Sequence, residues 1–88
     1  MANNNDFQNL LTDLIKKQIV ILGPDIAVMK ARNVRGLTVD NDGTVSNITG
    51  DPQELLNQLV GQYVELSGMI VKKAMEPLMA KYPSIKIN

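Results

Sequence analysis

DPQELLNQLVGQYVELSGMIVKKAMEPLM, residues Asp51–Met79, decides how this chain folds. Its start is marked three ways. Asp51 is a strong N-cap because its carboxylate can accept the unsatisfied N–H groups of a first helical turn. Pro52 carries the fixed φ that suits the first helical position, and Glu54 stands three residues after the cap, as in a capping box. Leu55, Leu56, Leu59, Val60, Tyr63, Val64, Leu66, Ile70, Val71, Ala74 and Met75 then keep helical spacing. Pro77 is expected to kink or end this helix near Ala74–Glu76, because its ring clashes with the preceding turn and restricts Glu76.

The apolar face of this long amphipathic helix is too wide for one partner. At about 100° per residue, Leu55, Leu59, Leu66 and Ile70 fall in one sector, while Val60, Val64, Val71, Met75 and Leu78 extend the arc to roughly 200°. A helix resting on one core needs an arc of only about 100°. One solution keeps everything internal, with the helix in a groove between the first helix and a hairpin. The other assigns one sector to the chain's own core and the second to an identical chain. Gly61, Ser67, Gly68 and Ala74 favour the second solution, since small residues let another backbone approach and a helical glycine costs about 1 kcal/mol. The expected interface is Val60, Val64, Ser67, Gly68, Val71 and Met75, used in a two-fold dimer or a higher assembly.

Immediately before this helix, Gly36–Asp40 and Thr44–Ile48 read as a strand pair around the turn Asn41-Asp42-Gly43. A three-residue loop with Gly43 left-handed sets Val39 opposite Val45 and puts two valines on one face; a two-residue Asp42-Gly43 loop would set Val39 opposite Ser46. The first register is preferred, and it needs a bulge, or the strand's end, to turn Ile48 inward.

Further back, Phe7, Leu10, Leu11, Leu14, Ile15 and Gln18 recur at helical spacing, with Asn5 or Asp6 as cap. The helix is expected to kink or break at Gly23-Pro24 and to run on to about Arg32, with Asn33 as its stop. Residues 1–5 form a flexible N-terminus, residues 6–83 one domain, and residues 84–88 a tail or a short extra strand. The fold class is α+β, in the order α-β-β-α.

Composition narrows the functions. The chain has 88 residues, no cysteine and no histidine. A domain this size buries only about 60–65% of the surface of its unfolded chain, and no disulfide can reinforce it, which favours oligomerisation. The missing histidine and cysteine remove the usual general base, thiol nucleophile and zinc ligands, so no enzyme activity, cofactor or metal is expected. Asp40-Asn41-Asp42-Gly43 resembles half of a calcium loop, but Thr38 and Thr49 stand where the full pattern needs acids. A hairpin turn accounts for the same residues.

Nine basic residues balance nine acidic ones, which argues against non-specific nucleic-acid binding. Lys30, Arg32 and Arg35 cluster at the first helix's end and suit the negative pole of its dipole; in a small dimeric nucleic-acid-binding protein they would be the anionic-partner patch. The methionines fill core gaps or adapt to a varied partner. No signal peptide is visible and the longest apolar run, Ile19–Leu22, is far short of a membrane span, so a cytoplasmic location is expected. The Asn47-Ile48-Thr49 sequon carries no weight without a secretion signal.

Three functions follow. The first is a non-catalytic, self-associating interaction module that partners itself and, through the same surface, another protein. The second is the small nucleic-acid-binding dimer, and the third an apolar-ligand carrier formed between aliphatic-rich helices.

Overall fold

The computed structural model describes residues 4–83 and residue 85. It is α+β: α1 (Asn4–Leu22), α2 (Pro24–Arg32), β1 (Leu37–Val39), β2 (Val45–Ile48), α3 (Pro52–Ser67) and α4 (Met69–Lys81). The helix α1 starts ahead of the expected caps, so Asn5 and Asp6 lie inside its first turn, where the Asp6 carboxylate complements the positive pole. Leu10, Leu11, Leu14 and Ile15 line its buried face, each contributing about 1.5–3 kcal/mol by leaving water. Gln18 continues that stripe and is buried with them.

Gly23 separates α1 from α2, Pro24 begins α2, and α2 ends at Arg32 with Asn33 as cap. The hairpin takes the three-residue loop: the Asp40 N–H donates to the Thr44 carbonyl, and the Gly43 N–H donates back to the Asp40 carbonyl. Val39 pairs with Val45 while Thr38 pairs with Asn47, so Ser46 is the extra residue of a bulge. That bulge turns Ile48 back against the core.

A two-stranded hairpin is marginal alone, and α1 holds this one. The Thr12 hydroxyl accepts from the Val45 N–H (2.9 Å), and the Gln8 amide donates to the Val45 carbonyl (2.8 Å). From the other side, the Arg32 guanidinium donates to the Val39 carbonyl at 2.9 and 3.1 Å and to Asn41 at 2.9 Å.

The Asp51 side chain accepts from the Gln53 N–H, which confirms the cap, and Glu54 accepts from Gln58. The long helix itself is corrected. It breaks at Gly68, where φ 52° and ψ −121° leave the helical region, and α4 restarts at Met69. Pro77 does not end α4, which runs through it to Lys81. Pro77 itself is exposed.

The break rotates the buried face. In α3 the core residues are Leu55, Leu56, Leu59 and Tyr63; in α4 they are Val71, Met75 and Leu78. On one straight helix these two sets would be centred roughly 110° apart. The over-wide arc is therefore used largely within the chain, one sector by α3 and the other by α4. The anticipated strand over Ser84–Ile87 lies outside the described residues, apart from Ile85, which is buried.

Candidate functional site

One hydrogen bond links the helices that lead into the two breaks. Gln18, one turn before Gly23, lies at 3.3 Å from the hydroxyl of Ser67, the residue before Gly68. A turn earlier in α3, the buried Tyr63 hydroxyl donates to the Ala27 carbonyl in the first turn of α2 (2.7 Å). Burial raises the Tyr63 pKa well above its ordinary value. The neutral phenol is the form this site holds.

Ser67 has one proton and two acceptors within reach, the Tyr63 carbonyl at 3.1 Å and Gln18 Oε1 at 3.3 Å. The Gln18 amide nitrogen, fully buried, has no partner among the described residues. Reversing the amide would let the nitrogen donate to Ser67 while Ser67 donates to Tyr63, and would leave the oxygen unpaired instead. Either way one polar atom of Gln18 is unsatisfied between the breaks.

Around this junction the apolar surface is uncovered. Among the described residues seven large apolar side chains are exposed, and six lie within three positions of a break: Val20, Ile21 and Ile26 near Gly23, and Leu66, Met69 and Ile70 near Gly68. Met29 is the seventh. Ile26 precedes Ala27 and Leu66 follows Glu65, so both flank the α2–α3 seam that the Tyr63–Ala27 bond and the Lys30–Glu65 pair (3.7 Å) hold together. Val20 lies apart, in a groove of about 460 Å³ with Lys17, Pro77 and Leu78.

The residues singled out for the interface separate. Val71 and Met75 are inside the chain's own core, so they present no free surface. Ser67 is engaged with Tyr63 and Gln18. Val60 and Val64 are half-buried against the core, and Gly68 is the break itself. Leu66 and Ile70 were placed by periodicity in the core sector with Leu55 and Leu59, yet they stand 47% and 53% exposed because the break diverts α4 away from that sector. The Ser67-Gly68 pair was the available signal.

The basic patch is also divided. Lys30 pairs with Glu65, Arg32 reaches across to the hairpin while staying exposed, and Arg35 is exposed. Of the three, only Lys30 faces a carboxylate; the partners of Arg32 are a carbonyl and an amide oxygen. In the hairpin loop Asp42 accepts from the Thr44 N–H (2.9 Å), and that bond lowers its pKa. Among the described residues no group of three or more acidic side chains is placed to hold a metal.

On the opposite side, the Asp13 carboxylate accepts from both Lys81 and Tyr82, each at 3.1 Å, tying the end of α4 to α1. The hydrogen bond to Asp13 raises the Lys81 pKa. The groove beside it, about 510 Å³, is lined by Asp6, Asn9, Thr12, Asp13 and Lys81. It is open and polar, and it lends no support to a carrier of apolar ligands. Among the described residues no helix is long and apolar enough to cross a membrane. No family model, curated protein or solved structure matches this chain.

Proposed function

We propose that the protein is a non-catalytic interaction module that self-associates through the apolar surface around its two helix breaks. The observation that carries this reading is the exposure of Ile21, Ile26, Leu66, Met69 and Ile70, each within three positions of Gly23 or Gly68, the two breaks whose flanks the Gln18–Ser67 contact links. Large aliphatics left in water on a small protein are what a contact surface would cover. The expected interface differs from the sequence expectation, since Leu66 and Ile70 take the place of Val71 and Met75.

Light scattering at high micromolar concentration should give a mass above that of one chain. Replacing Leu66 and Ile70 together by Glu should return it to the monomer with the circular dichroism spectrum unchanged, because both side chains already meet water. A wild-type protein that stays monomeric would remove the reading.

A further inference from the structure

The surface around Gly68 also bears on how two copies join. The α3 and α4 helices are separated by one residue. Hydrogen bonding nearly runs through it: the Gly68 N–H donates to the Val64 carbonyl, and the Val71 N–H donates to the Gly68 carbonyl. Rotating the Gly68 backbone into the helical region would merge the two into one helix of about 45 Å. On that straight helix Leu66 and Ile70 fall in line with Leu55, Leu59 and Tyr63, so the stripe that the break interrupts would be restored.

The arm beyond Gly68 packs on α1 and α3 and ends at the Asp13–Lys81–Tyr82 cluster. The remaining elements, α1, α2, the hairpin and α3, pack on one another without it. Short hinges invite exchange of a terminal element, and an exchanged element re-forms the same contacts in the other chain.

We propose that Gly68 is a swap hinge: α4 leaves its own chain, α3 and α4 become one helix, and α4 takes its seat on α1 of a second copy. The partner is another molecule of this protein, and the seat is the one already seen within the chain. This rests on the self-association proposed above and specifies its mode. The closed contacts are unchanged, so the balance is set by burial of Leu66 and Ile70 along the restored stripe.

The Asp13–Lys81 pair reports the exchange, because a carbodiimide converts that 3.1 Å contact into an amide bond. Unlabelled and 15N-labelled chains are unfolded together, refolded at high concentration, and the dimer is isolated, crosslinked and digested. Linked Asp13–Lys81 peptides of mixed mass are expected at their statistical share. A dimer holding only same-mass links would overturn the swap and leave surface association standing. Absence of a dimer would overturn both.

A second measurement uses Gly68→Ala. No atom lies within 4 Å of the added methyl, so its effect is conformational. Because an L-residue is disfavoured at positive φ, each hinge should shift the equilibrium toward dimer roughly fivefold or more. An unchanged dimer share would count against the hinge.

Discussion

At the hairpin end, α1 satisfies both backbone groups of Val45, Arg32 clips the loop, and the Asp51 cap starts α3. At the break end, the second helix of each pair begins with no side-chain cap, a buried amide lacks a partner, and aliphatic side chains face water. The glycines tell the same difference. Gly36 sits at the hairpin base at φ 98°, its carbonyl accepting the Thr49 N–H (2.7 Å), and an added Cβ would collide with the Thr49 carbonyl oxygen. Gly68 also has a positive φ but meets open space. Both ends carry hydrogen bonds, but crowding fixes Gly36 and none fixes Gly68. Local structure at the first end resists change; at the second a small perturbation can choose another arrangement.

Four substitutions test this contrast. Gly36→Ala should be the most damaging, costing about 3 kcal/mol or more in urea unfolding, because strain at positive φ adds to a backbone collision. A loss under about 1 kcal/mol would mean the hairpin base is as permissive as the breaks. Tyr63→Phe removes the bond to Ala27 and should cost about 1.5 kcal/mol near neutral pH. It also has a pH signature. The folded Tyr63 pKa lies above that of the unfolded phenol, so its contribution is complete below about pH 10 and is lost as pH rises further. Wild type should therefore lose stability above pH 10 more steeply than Tyr63→Phe in a melting series.

Asp51→Ala removes the cap of α3 and should cost about 1 kcal/mol. Gln18→Met should have the smallest effect and the opposite sign, a gain of about 0.5 kcal/mol in thermal melts, since it replaces an unsatisfied amide with an apolar chain of similar size. A clear loss would show that the Gln18–Ser67 contact matters more to the fold than the orphaned atom costs it.

Features governed by neighbouring residues were legible in the sequence. The hairpin register followed from putting Val39 and Val45 on one face, the α3 start from Asp51-Pro52, and the α1–α2 break from Gly23-Pro24. What could not be read depends on tertiary choice. Gly68 costs only about 1 kcal/mol inside a helix, so a continuous apolar pattern argued for continuity. The gain from breaking there comes from docking Val71, Met75 and Leu78 on distant α1. Pro77 was expected to kink or end the helix near Ala74–Glu76, and α4 runs through it to Lys81. Arg32 looked like part of a surface patch because nothing local announces that its guanidinium reaches the Val39 carbonyl. Leu66 and Ile70, the centre of the candidate site, are exposed only because the faces of α3 and α4 diverge.

The Asp13–Lys81 contact joins residues 68 positions apart. Such a contact forms after the local ones, because closing a long loop is an entropic cost met only when the intervening segments are already ordered. The α4 arm is thus the natural last piece to dock during folding. Until it does, the vacant seat on α1 is open to any arm of the same sequence, tethered or free. The choice between them is a race between an intramolecular closure and a concentration-dependent encounter, so the refolding concentration, rather than final stability alone, would govern which assembly a preparation contains.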